Sequence, residues 1–359
     1  MPVNESIQQA AWRRLKKNKA AVFGLIIIAI AILVSMLAYF IAPDGSSYSN
    51  RMTVEIGGKK PGYKRQFFLL KKDKMPTRNG FFSTLLNGQE DSYQYIPING
   101  YELKGDSIII QQYIDEAVYE RKSYLKAGSD NDMVITRTFL LGTDKYGRDI
   151  LSRILLGTRI SLGVGLVAVV ISLSIGILLG AMAGYFGGRT DDIIMWFINV
   201  IWSIPTLLLV FAITLILGKG FWQVFIAIGL TMWVSVARLV RGQVLMVREL
   251  EYVEAARALG YTHARIIFKH ILPNIMGPVL VVAASNFASA IVIEAGLSFL
   301  GVGVQPPQPS WGLMIKENYN FIITHNPALA LAPGFAIMLL VLAFNLVGNG
   351  LRDALSVKA

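Results

Sequence analysis

Long apolar runs separated by polar breaks dominate this chain. About 20 apolar residues at 1.5 Å per residue cross roughly 30 Å of hydrocarbon. Six stretches fit a crossing helix: Val22–Ile41, Ile160–Ala183, Ile193–Leu217, Trp222–Leu239, Ile275–Leu297 and Leu329–Val347. The third holds Pro205, which is expected to kink it. Between the first and second spans, residues 43–141 are polar and rich in Tyr, Asn and Asp. There Tyr101–Ile110 reads as strand, turn, strand, and Met133–Leu141 as a further strand. The pattern predicts an all-α polytopic membrane protein of six transmembrane helices, with a partly β insert between helices 1 and 2.

Composition agrees: 54% of the 359 residues are hydrophobic, 16% are charged, and the mean hydropathy is +0.51. Soluble domains carry roughly 25% charged residues. A net charge of +11 in a soluble protein would suggest nucleic acid. Here the basic residues flank apolar spans, so they report orientation and no nucleic acid is expected. The N-terminal tail carries Arg13, Arg14, Lys16, Lys17 and Lys19, and the loop between spans four and five carries Arg238, Arg241, Arg248, Arg257, Arg265 and Lys269. The three–four and five–six loops carry one each, Lys219 and Lys316. Both termini and the four–five loop are therefore expected in the cytoplasm, and the insert outside. The first apolar run is too long for a signal peptide and no clear cleavage site follows, so it reads as an uncleaved anchor. With no cysteine, disulfides, thiol nucleophiles and Cys-ligated zinc are excluded.

The four–five loop carries the most specific pattern. Glu251, Glu254, Ala255 and Ala258 recur at helical spacing, and the alanines keep one face thin. Gly260 ends or bends this helix, because glycine tolerates positive φ. A basic helix with Arg265, Lys269 and His270 follows, and Pro273 is expected to break it before span five. Such a helix–turn–helix suits a groove on a soluble partner, or an acidic lipid surface. Glu254-Ala255-Ala256, then Gly260 after three intervening residues, then Ile271-Leu272-Pro273 resembles the EAA loop of binding-protein-dependent ABC importer permeases. His270, where that family prefers an aliphatic residue, is similar to its peptide-permease branch.

Three further stretches resemble the C-type dipeptide and oligopeptide (peptide/nickel) permeases: Leu141–Asp149 with Ser152 and Arg153, Ala183–Gly188 with Asp191 and Asp192, and Glu294–Gly303 with Pro306, Pro307, Trp311 and Gly312. The resemblance covers roughly 11–41 and 141–353, and leaves most of the insert unexplained. It implies a type I importer permease in a bacterial inner membrane: tail and first helix in 1–42, insert in 43–141, a five-helix core in 142–353 with coupling loop 248–274, and tail 354–359. Implied partners are a paralogous permease, two ABC ATPase subunits that bind the ATP and Mg, an extracytoplasmic substrate-binding protein and membrane lipid. The residues implied for ATPase coupling are Glu251, Glu254, Ala255, Ala256, Gly260, His270, Leu272 and Pro273. The chain itself is expected to hold no cofactor and to catalyse nothing, since it lacks a G-x-x-x-x-G-K-[ST] phosphate loop and its three histidines, 263, 270 and 325, lack metal-ligand spacing.

Other residues have two readings each. Glu294 is a pathway or gate residue, or a helix-end carboxylate paired locally. Asn286, Ser285 and Ser289 line a polar path, or join helices by hydrogen bonds. Pro205 shapes a gate, or only bends its helix. The glycines of span two permit close helix packing. Asp144 is expected to cap a helix beginning near Tyr146, and Asp149 to pair with Arg153. Rival readings are a secondary transporter, which needs inverted repeats or several intramembrane charges, and a membrane-anchored receptor built on the insert.

Overall fold

The computed structural model describes residues 7–73, 80–125, 133–218, 220–323 and 326–355, with the backbone alone for 7–9. Lys219, His325, parts of the insert and most of the 354–359 tail lie outside the described residues. The chain divides into two compact units, one of residues 1–31, 161–305 and 337–359, the other of 32–160 and 306–336.

Among the described residues, five helices are long and apolar enough to cross a membrane: α2 (Lys19–Ile41), α4 (Ile150–Phe186), α7 (Phe221–Val247), the run His263–Leu300, and α12 (Ala328–Leu355). The short α1 (Ile7–Lys17) precedes α2. The expected third span is not one kinked helix. It is two, α5 (Gly188–Trp202) and α6 (Thr206–Leu217), bent by 93°. Pro205 sits at the cap of α6, outside both helices, where its missing N–H costs nothing. Counted as one broken span, the pair brings the total to six.

The expected break at Pro273 is absent. Helix α9 (His263–Ile266) runs through a wide turn at Ile267–Ile271 into α10 (Leu272–Leu300). There the Leu272 N–H donates to the Ile267 carbonyl, five residues back, and Pro273 lies in the first turn of α10, where a proline is tolerated.

In the first unit, α7 packs against the glycine face of α4. A Cβ on Gly176 would lie 2.5 Å from the Val236 Cβ, and one on Gly180 2.5 Å from the Ala237 carbonyl oxygen. Gly184 meets the Arg241 carbonyl oxygen in the same way, at 2.8 Å. With apolar lipid as solvent, this close approach is what drives helix association. Gly180→Leu is expected to prevent the α4–α7 contact and to cut the yield of folded protein. Size-exclusion of detergent extracts tests this; a normal monodisperse yield would refute it.

The second unit contains a five-stranded antiparallel sheet of order β4-β3-β2-β1-β5. Its strands are β1 (Tyr63–Lys71), β2 (Tyr93–Lys104), β3 (Ser107–Asp115), β4 (Val118–Leu125) and β5 (Val134–Phe139), and helix α3 (Phe81–Asn87) lies between β1 and β2. The β2–β3 hairpin turns at Gly105, φ +54°, as the strand–turn–strand reading expects. Both faces carry apolar clusters, Phe68, Ile96, Ile98, Ile108 and Ile110 on one, Ile56, Phe67, Tyr113 and Phe139 on the other. Strands β1 and β4 escape the sequence reading for different reasons. The Phe67–Leu70 run of β1 serves both faces and so does not alternate, while β4 is a charged edge strand with Glu120, Arg121 and Lys122. The last short helix, α11 (Trp311–Asn318), also belongs to this unit.

Candidate functional site

Helix α8 (Glu251–Ala258) stands on the loop between α7 and α10. Val253 and Ala256, three apart, are its buried face, packed with Val240, Val244, Ile266, Ile271 and Ile275. Glu251, Glu254, Ala255 and Ala258 point outward, and Leu259 beside them is 72% exposed. The coupling residues inferred from the sequence thus separate: Ala256 fixes the helix, and Glu254 and Ala255 are presented. Gly260 takes φ +76°, and Leu259, Gly260 and Tyr261 donate backbone N–H groups to the carbonyls of Ala255, Arg257 and Ala256. This closes the helix end on itself. His270 lies in the wide turn with its ring stacked on Tyr261 at 5.8 Å, and its carbonyl accepts from Asn274 Nδ2 at 2.7 Å. Leu272 packs against the same core, and Pro273 is exposed.

Three polar links hold this segment to the α4–α5 turn. Arg241 grips Asp191 through two bonds of 2.5 and 2.6 Å. Arg248 donates to the Gly184 carbonyl at 2.9 Å, and Tyr185 Oη shares a 2.9 Å hydrogen bond with His263 Nδ1. The sequence names residues on both sides of these links but not the pairings, which join positions 50 to 78 residues apart.

A cavity of about 530 Å³ opens among α5, α6, α7, α10 and α12. Its polar lining comes from Thr206, Thr231, Ser235, Ser285, Ser289 and Asn345, and among the described residues no charged side chain lines it. Of the sequence-inferred path residues, Ser285 and Ser289 line the cavity and Pro205 sits between two lining residues, Ile204 and Thr206. Asn286 turns away and is 7% exposed. Glu294 is fully buried outside the cavity, where Ser298 Oγ donates to its Oε1 at 2.6 Å. The Val304 N–H in turn donates to Ser298 Oγ at 3.0 Å, so the carboxylate anchors the turn that ends α10.

In the second unit, the segment before α4 differs from expectation. No helix begins at Tyr146. Asp144 instead accepts from the N–H groups of Tyr146 and Arg148 at 2.9 and 3.0 Å, and Gly147 turns the chain at φ +74°. Nor does the Asp149 carboxylate pair with Arg153. It accepts from the hydroxyl and N–H of Ser152. Burial pushes the Asp149 carboxyl up, and the Ser152 bonds offset part of the rise. Arg148 reaches Asp144 at 2.6 Å, Glu317 of α11 at 2.7 Å and Asn50 at 3.1 Å. Arg153 lies 3.5 Å from Asp144 and 3.4 Å from Glu317. Two guanidinium groups and two carboxylates thus balance in a site where both arginines are 1% exposed.

The chain belongs to the family of binding-protein-dependent transport system inner membrane components, whose model matches residues 176–358. Residues 6–55 match the N-terminal TM domain of oligopeptide transport permease C. It is therefore an ABC importer permease subunit, of a family that works with ATPase and substrate-binding partners. Among its relatives, the oligopeptide transport system permease protein OppC of Bacillus subtilis is 40% identical over 70% of this chain and 82% of its own length. The glutathione transport system permease protein GsiD of Pectobacterium atrosepticum is 44% identical over 61% of this chain and 72% of its own. The dipeptide transport system permease protein DppC of Lactococcus lactis subsp. cremoris is 33% identical over 99% of this chain and 91% of its own, so the match runs through the insert. Among solved structures, the inward-facing MetNI methionine ABC transporter matches with a TM-score of 0.49 at 18% identity, over 58% of this chain and 98% of that one.

Proposed function

We propose that this subunit pairs with a related permease to import di- or oligopeptides by alternating access, with α8 and Gly260 as the seat of a cytoplasmic ATPase. The observation that carries the reading is α8 itself: it is held rigidly from below by Val253 and Ala256, while Glu251, Glu254, Ala255 and Leu259 are presented outward. The basic tail and basic four–five loop support cytoplasmic termini and an external insert. ATP is hydrolysed by the partners, and this chain turns their motion into access. Full-length subunit extracted with its membrane is expected to co-purify with two ATPase subunits and a second permease. Isolation alone, from cells making the whole system, would overturn the reading. The rivals, a secondary transporter or an anchored receptor, predict that outcome.

A mostly apolar cavity with scattered hydroxyls and one amide suits a peptide path that tolerates varied side chains and leaves selection to the binding protein. Ser289→Trp, which narrows it, is expected to reduce peptide uptake strongly without lowering the amount of inserted subunit, as measured by radiolabelled peptide uptake beside an immunoblot. Unchanged uptake would remove the cavity from the path. Ligand binding by the partner binding protein tests the substrate class.

A further inference from the structure

Helix α3 carries Phe81, Phe82, Leu85 and Leu86 on one face and Ser83, Thr84 and Asn87 on the other. Phe81, Phe82 and Leu86 are 65%, 78% and 62% exposed, a contiguous apolar surface unsuited to water. The place of this surface is fixed within its unit. Phe81 stacks on Phe40, in the last turn of the spanning helix α2, at 5.4 Å and 24°. Phe40 is itself exposed, as are Leu33, Met36 and Leu37 below it. The apolar face of α3 therefore continues the exposed apolar surface of α2, a helix long and apolar enough to span a membrane.

The polar ends of the helix point the same way. The last four carbonyls of a helix have no partner within it, and in a medium poor in water each must find one. Here all four are satisfied. The Thr84 carbonyl accepts from the Gly88 N–H at 2.9 Å. Arg159 Nη1, on α4, donates to the Leu85 carbonyl at 3.0 Å and the Leu86 carbonyl at 3.4 Å. Ser47 Oγ donates to the Asn87 carbonyl at 2.9 Å. Gly88 then turns at φ +74° hard against Tyr39, where a Cβ would lie 2.7 Å from the ring.

We propose that α3 lies in the interfacial zone of the bilayer, with Phe81, Phe82 and Leu86 among the lipid chains, and seats the sheet insert on the membrane. The occupant is phospholipid, because the exposed face is continuous with that of a spanning helix and the carbonyl end is capped throughout. The orientation proposed above decides only which leaflet receives it.

The chain has no cysteine, so Phe82→Cys and, in a second variant, Leu86→Cys each give a unique site for an environment-sensitive fluorophore. Glu102→Cys, on the exposed part of β2, is the reference. With the assembled complex in phospholipid vesicles, spin-labelled lipid is expected to quench the probes at 82 and 86 several-fold more than the probe at 102, and aqueous iodide to do the reverse. Equal iodide access at all three sites would overturn the proposal. Protection at 82 and 86 from both quenchers would also overturn it, because a protein would then cover the face. In sealed vesicles of known sidedness, iodide access to position 102 tests the orientation separately.

Discussion

Replacing Arg148 with alanine is expected to destabilise the second unit by about 3–5 kcal/mol, the typical cost of breaking a buried ion pair. The large effect follows from what is left behind. Arg148 is the shared partner of Asp144, Glu317 and Asn50, and without it the charge of Arg153 remains against two carboxylates in a site closed to water. Arg148→Lys is expected to recover little, since one ammonium cannot reproduce three guanidinium bonds aimed in different directions. Thermal unfolding in detergent, followed by scanning fluorimetry, checks both variants. Melting temperatures equal to that of the parent would show that the network contributes nothing. Glu317→Ala tests the same network from its other end, and its effect should not add to that of Arg148→Ala.

The second large effect is functional. Gly260→Pro is expected to reduce uptake to background while the subunit still inserts. Proline fixes φ near −65°, whereas Gly260 sits at +76°, and the N–H that Gly260 gives to the Arg257 carbonyl would be lost. The end of α8 must then reorganise, taking Leu259 and Glu254 out of register with a partner groove. Val253 and Ala256 still bury themselves, so the membrane helices have no reason to misfold. Uptake and binding-protein-stimulated ATP hydrolysis in reconstituted vesicles are the readouts. Normal uptake by this variant would sink the coupling role of the loop. Gly260→Ala is milder, a cost of about 1–2 kcal/mol for left-handed backbone, and should lower coupling only in part.

The spans were legible because membrane insertion asks only for apolar length, which is local. The EAA-like loop was legible because its spacing is also local. Even there, helical periodicity separates Ala256, which follows Val253 into the core, from Ala255, which follows Glu251 outward, and the motif alone does not. The 93° break at Pro205 was not legible. A proline marks a weak point, but the angle depends on what α5 and α6 each pack against, and Ile198 of α5 packs with Trp233, Val234 and Ala237 of α7. The Asp144–Arg148–Arg153–Glu317 network was hidden for a simpler reason: its far member is 169 residues from Arg148. Local i,i+4 logic offered Asp149 as a partner for Arg153, and a tertiary contact won. The insert showed its hairpin, where turn chemistry is local, and hid β1 and β4, where strands serve two faces or none.

The continuous helical run from His263 to Leu300 has a mechanical consequence. At 1.5 Å per residue its 38 residues measure about 57 Å, nearly twice the thickness of the hydrocarbon layer. One end grows out of the Gly260 turn, and the other is stapled by Glu294 through Ser298 to Val304. A displacement delivered at the first end has no slack loop in which to dissipate. It travels as tilt or torsion of the helix, which has two weak points near that end, the wide turn at Ile267–Ile271 and Pro278 inside α10.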